Sequence, residues 1–189
     1  MIMPFDLSTL QFESRIFAAD TAIERDLKLN FQKLTQESSL ETNEKLFALY
    51  ALAQACHHSA LKTSVRELLQ KSDEISNEQI TEIEQSAGIM AMLNTYYRFR
   101  HFMKETHGGE LDPSFNRAGL RMNSLSNPVI GKTNFEMLAF ALSVINGCQD
   151  CVGSHAKTLA QHGVSNEKIH DLARLASVVK AISVLDETV

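Results

Sequence analysis

"VSNEKIHDLARLASV", residues 164–178, decides the fold, because a second stretch of the chain aligns with it. "ISNEQITEIEQSAGI", residues 75–89, matches it at an offset of 89. Each copy opens on Ser-Asn-Glu. In the first, Ser76 can cap a helix while the Gln79 side chain reaches back to it, the reciprocal arrangement of a capping box. Upstream of these helix starts the likeness continues at an offset of 92, so the first copy carries three extra residues. Glu44 then aligns with Glu136, Cys56 with Cys148, Ser59 with Cys151 and Thr63 with His155. Amphipathic helices can resemble one another by chance; the sharper reading is a duplicated helical unit with chemistry in the second copy. Two such units pack naturally about a pseudo-two-fold axis. The expectation is one domain, 1–189, with a degenerate first repeat at about 40–103 and an active second repeat at about 132–188.

The rest of the chain is helical in character. Residues 1–104 hold one glycine, Gly88, and one proline, Pro4, so long helices are free to form there. Residues 12–36 read as helix with mixed periodicity. From 42 to 70, Leu46, Phe47, Tyr50, Ala51, Ala53 and Leu61 recur at helical spacing. A helix runs from the 76–79 box towards Phe102. "ETHGGELDPSFNRAGLRMNSLSNPVIGKT", residues 105–133, is the one long irregular stretch, with room for short helical turns. Helical pattern resumes near 133 with Phe135, Leu138, Ala139, Leu142 and Ile145, and Asn146-Gly147 breaks it. A further helix follows from Cys148 to about Gly163, and the last opens at 165–168. No segment alternates with period two, so the class is all-α.

Composition narrows the function. An apolar fraction of 44% supplies a core, and charged residues at 22% are spread along the chain. The net charge of −5, with no Lys/Arg cluster, argues against a nucleic-acid grip or a polybasic membrane anchor. No apolar run approaches the roughly 18–20 residues of a membrane span. "MIMPFDLSTLQFESR" lacks the basic start and apolar run of a signal peptide. The expectation is a cytoplasmic protein, where a disulfide is transient and catalytic more often than structural. Three cysteines also suit a closed extracellular framework poorly.

Glu136, Cys148, Cys151 and His155 form a Glu-x11-Cys-x2-Cys-x3-His constellation. On a helix, Cys148 and Cys151 share a face, and His155 lies one turn beyond Cys151. The Asn146-Gly147 break puts Cys148 near a helix start, where the positive dipole end favours thiolate. His155 can exchange a proton with Cys151, and Glu136 can fold back to orient His155 or act as acid or base. Asp150, between the thiols, opposes thiolate formation. Three readings compete at this point. A structural zinc site needs four ligands, and the local set offers three, with His162, Cys56 or Glu136 as a fourth only if folding brings one in. The cysteines can also be small packed side chains. A dithiol redox site accounts for the spacing, the histidine and the acid together, and is preferred. Cys56 reads as a packed thiol, and His57 and His58 as ordinary helix residues.

"AGLRMNSLSNP" (118–128), "KTNFEMLAFALSVINGCQDCVGSHAKTLAQHGVS" (132–165), "ARLASVVKAISVL" (173–185) and "YYRFRHF" (96–102) together resemble the alkyl hydroperoxidase D (AhpD) family, within the carboxymuconolactone decarboxylase superfamily. The resemblance implies an all-helical fold of two related halves, assembled as a homotrimer or a multiple of it. It implies a thiol peroxidase acting on alkyl or organic hydroperoxides. The residue matching Cys151 is the attacking thiol, the residue matching Cys148 resolves its sulfenic acid as a Cys148–Cys151 disulfide, and Glu136 and His155 match the proton relay. No metal, haem or bound flavin is implied. Reducing equivalents come from a dihydrolipoamide system through a lipoylated acyltransferase, and an AhpC-type peroxiredoxin is a possible electron partner. The position of Asp150 is a histidine in the best-known members. The alternatives retained are a general dithiol–disulfide oxidoreductase and a redox-sensing oligomer with little peroxidase turnover. Lactone decarboxylation has no use for a Cys-x-x-Cys pair.

Overall fold

The computed structural model describes Phe17 and residues 19–186. Among these residues there are seven α-helices and no strand: α1 (Ala22–Glu37), α2 (Thr42–Ala55), α3 (Ser59–Gln70), α4 (Asn77–Thr106), α5 (Lys132–Ile145), α6 (Gln149–Gln161) and α7 (Asn166–Asp186). The N-terminal stretch read for a signal peptide, residues 12–16 and 18 of the helix expected over 12–36, and the end of the second repeat at 187–188 lie outside the described residues; residues 17 and 19–21 are described and not helical, so that helix starts later than expected. Within them, α1 starts at a capping box in which Thr21 and Glu24 exchange hydrogen bonds. The expected box at Ser76 and Gln79 is present at the start of α4, and Ser165 accepts from the Lys168 amide at the start of α7.

Two helices form the centre. Leu46 to Ala53 of α2 are buried without a gap, and so are Met137 to Ser143 of α5. A helix that is apolar on every side has to be surrounded by others. Accordingly, α2 packs against α3, α4, α5 and α7, and α5 packs against α2, α4, α6 and α7. The arrangement is symmetric: α2 lies on α7 as α5 lies on α4. Helices α2–α4 and α5–α7 therefore pack in similar ways, except that α4 also touches α6 without an equal contact of α3 on α7, and α1 packs along α7.

The register between the copies differs from the sequence match. Helix α2 ends at Ala55 and α5 at Ile145, an offset of 90 rather than 92. The turns that follow share one hydrogen-bond pattern. Cys56, His57 and His58 amides donate to Leu52, Gln54 and Ala53 carbonyls, as Asn146, Gly147 and Cys148 amides donate to Leu142, Val144 and Ser143. His58 thus stands opposite Cys148, and Cys56 opposite Asn146. Leu46, Leu61 and Val65, all fully buried, stand opposite Glu136, Cys151 and His155. The offset of 92 matched residue types, whereas backbone geometry sets the pairing.

The first of these turns also divides residues 42–70 into two helices, which periodicity did not reveal. Its left-handed residue is His57 (φ 58°), where the second copy has Gly147 (φ 64°). Histidine tolerates this conformation but does not announce it as glycine does. His57 and His58 are accordingly turn and cap residues, not helix-interior ones. His58 Nδ1 faces the Asp186 carboxylate at 3.1 Å.

The irregular segment 107–131 contains two 3-10 turns, Pro113–Phe115 and Asn123–Leu125. Glu82 of α4 holds its far end, accepting from the Val129 and Ile130 amides at 2.9 and 2.8 Å. Among the described residues, no helix is long and apolar enough to cross a membrane.

Asp171 fastens α7 to the segment between α1 and α2. Its buried carboxylate accepts from the Ser39 amide and hydroxyl, each at 2.7 Å, and pairs with Arg174. Burial alone would push this carboxyl up. The Arg174 guanidinium and the Ser39 bonds outweigh burial and hold it below the usual aspartate value. A depressed folded-state value gives stabilisation that is complete above the unfolded pKa, about 4, and is lost as pH falls through the folded one. Asp171→Asn should cost about 2 kcal/mol near neutrality. Urea unfolding should show the gap from wild type narrowing below about pH 4; a gap that is constant with pH would contradict the assignment.

Candidate dithiol site

The turn after α5 builds the site. Asn146 ends the helix, Gly147 takes the left-handed conformation that glycine adopts without strain, and Cys148 becomes the N-cap residue of α6. Cys151 occupies the third position of the first turn, within reach of the dipole of α6. Cys148 is fully buried and Cys151 is 7% exposed. The two sulfurs are joined as a disulfide, with Cα atoms 5.3 Å apart. Both thiols therefore sit where a helix N-terminus favours the thiolate once the bond is reduced.

Glu136 comes from the second turn of α5 and His155 from the second turn of α6. Their side chains meet, His155 Nδ1 to Glu136 Oε2, at 2.7 Å, and are 22% and 26% exposed. A carboxylate on Nδ1 selects the tautomer that keeps Nε2 as the proton-accepting nitrogen. The four residues singled out from the spacing thus form two pairs, Cys148–Cys151 and Glu136–His155, with His155 one helical turn beyond Cys151 on α6. The structure does not bring in the others. His162 caps the far end of α6, some 16 Å along the helix from Cys151 at about 1.5 Å per residue. Cys56 is buried in the turn of the first copy. Neither completes a four-ligand set. Among the described residues no cluster of three or more His, Cys, Asp or Glu side chains is placed to hold a metal ion.

Helix α4 contributes three residues that spacing did not flag. Arg98 Nη1 donates to the Asn146 carbonyl at 2.7 Å, satisfying an acceptor left free at the end of α5. Asn94, buried at 1% exposure, accepts from Asn146 Nδ2 and donates to Ser143 Oγ, both at 2.9 Å. The Ser143 carbonyl in turn accepts the Cys148 amide at 3.2 Å. A continuous polar chain therefore clamps the Asn146-Gly147-Cys148 turn from the first copy. His101 Nδ1 lies 3.3 Å from the Asp150 carboxylate. Arg98 and His101 both fall in the "YYRFRHF" segment, so the signal was present, but nothing in one sequence aims those side chains across the molecule.

The family model "Carboxymuconolactone decarboxylase family" matches residues 116–186, which include all four site residues. Three curated relatives carry the name "Alkyl hydroperoxide reductase AhpD". One, from Mycolicibacterium paratuberculosis, is 37% identical over 84% of this chain and 85% of its own length. Another, from Anaeromyxobacter dehalogenans, is 36% identical over 85% and 82%. The third, from Frankia alni, is 38% identical over 86% and 84%. The chain belongs to the carboxymuconolactone decarboxylase family, as an AhpD-like protein.

Asn94→Ala would leave the Asn146 amide group and Ser143 without their buried partner. Loss of about 2 kcal/mol of stability is expected. Denaturation of the oxidised protein measures it, and a variant as stable as wild type would show that the clamp does not hold the turn.

Proposed function

We propose that the chain is a dithiol peroxidase that reduces organic hydroperoxides at Cys151. One observation carries the reading: paired, nearly buried cysteines at the N-terminus of α6 lie one turn from a His155–Glu136 pair. Membership of a family whose curated relatives are named alkyl hydroperoxide reductases supports it.

The reaction follows from the chemistry of these groups. The Cys151 thiolate attacks the terminal oxygen of the hydroperoxide and the O–O bond breaks. His155, oriented by Glu136, supplies the proton that lets the alcohol leave. Cys151 becomes a sulfenic acid. The Cys148 thiol then attacks that sulfur, water departs and the Cys148–Cys151 disulfide forms. One hydroperoxide and two thiols yield one alcohol, one water and one disulfide. A dithiol donor restores the thiols by exchange; a dihydrolipoyl group on an acyltransferase fits that role, with an AhpC-type peroxiredoxin as a further electron partner. On this reading no metal, haem or flavin takes part, the protein works in the cytoplasm, and it assembles as a homotrimer or a multiple of it. Exposed Met92, Phe99 and Phe102 on α4 offer apolar surface for that assembly.

The second reading is a disulfide oxidoreductase that exchanges with protein or lipoyl disulfides. Both reactions start from a thiolate, so Asp150, set between the thiols, opposes either one and does not choose between them.

Cys151→Ser should abolish peroxide consumption. Cys148→Ser should leave a single round of sulfenic acid formation, and recycling at the wild-type rate would remove Cys148 from the resolving role. His155→Gln should slow the first oxidation about a hundredfold, the usual scale of a lost acid–base group. Stopped-flow oxidation of the reduced protein reads this step, and an unchanged rate would take His155 out of the relay.

A further inference from the structure

Asp150 has a counterpart on the opposite half of the molecule. It sits in the first turn of α6 with its side chain 54% exposed, and its Oδ1 lies 3.3 Å from Nδ1 of His101 on α4. His101 is mostly shielded, at 20% exposure, and its Nε2 reaches Glu105 Oε1 at 3.2 Å. Both ring nitrogens are therefore engaged by carboxylates, which fixes the plane of the ring. Among the described residues, His101 is the one basic side chain set within ion-pair distance of Asp150. The other charged groups on this side are Arg100, Lys104 and Glu110, which with Tyr97 and Leu111 line a cavity of about 600 Å³ beside the pair. Arg100 leans over the Tyr97 ring, 5.6 Å from its centroid.

We propose that His101 is a positioning residue for the dithiol: its ring Nδ1 draws the Asp150 carboxylate towards α4 and holds it there, so that a thiolate can form on Cys148 or Cys151 despite the acid. The inference rests on the reading of this pair as the redox centre. It assigns a function to the contact between the two halves. The first half, which has Leu46, Leu61 and Val65 at the matching places, supplies the group that lets the second half keep an acid beside its thiols. The effect is modest, since Asp150 is half exposed. A unit charge at the separation of neighbouring residues in water-like surroundings changes a thiolate population about threefold.

The test is a double-mutant cycle on the reduced full-length protein, read as the rate of Cys148 and Cys151 alkylation by iodoacetamide at neutral pH. His101→Gln should slow alkylation about threefold, and His101→Lys, which supplies a cation at this position, should recover most of that loss. Asp150→Asn should react at least as fast as wild type. In the Asp150→Asn background, His101→Gln should have no further effect. An equal slowing in both backgrounds would mean that His101 acts by packing alone and would overturn the proposal, as would an unchanged rate for His101→Gln in the wild-type background. Alkylation involves no peroxide. A cycle that behaves as expected in a protein that never consumes peroxide would therefore overturn the peroxidase reading while leaving the His101 assignment standing.

Discussion

Burial of α2 and α5 against each other is the constraint on which the molecule depends. Each is apolar over two full turns and cannot be left facing water. Packing them together creates a centre that needs cover on every side, and α3, α4, α6 and α7 provide it symmetrically. The pseudo-two-fold relation is a consequence of this packing. So is the division of labour between the copies. A chemical side chain at the edge of one central helix is tolerable when its counterpart contributes only apolar bulk, and Leu46, Leu61 and Val65 fill the places that Glu136, Cys151 and His155 occupy in the second copy.

The site follows from how the second copy ends its central helix. Asn146 and Gly147 stop α5, and the reversal points the new helix start at the cysteines. The turn is held from outside its own unit by Arg98, Asn94 and, through Asp150, His101. The dithiol is thus built by one copy and positioned by the other. On the proposed function, that arrangement suits a centre cycling between thiols and disulfide, because the backbone around it is anchored to a different set of helices.

Much of this was legible in the sequence because the signals are local. The duplicated Ser-Asn-Glu starts, the Asn146-Gly147 break and the spacing of Cys148, Cys151 and His155 all lie within a few residues of what they determine. Glu136 was legible because it is one helix away with a short turn between. The register of the repeat was not. Residue types match at 92, but helix ends match at 90, and sequence likeness follows side chains rather than backbone. The turn at 56–58 was hidden because histidine carries the left-handed conformation there. Asn94, Arg98 and His101 were hidden because their partners lie about fifty residues away across the helix packing, a distance that no periodicity encodes.

The central claim is that hydroperoxide oxidises one specific pair of thiols. Intact-mass analysis with peptide mapping, on fully reduced protein before and after a stoichiometric dose of cumene hydroperoxide, tests it most directly. The account predicts rapid loss of two hydrogens, mapped to a Cys148–Cys151 disulfide, with the buried Cys56 still a thiol. Thiols at 148 and 151 that ignore the peroxide yet form the same disulfide with oxidised lipoamide would contradict it and move the function to disulfide exchange.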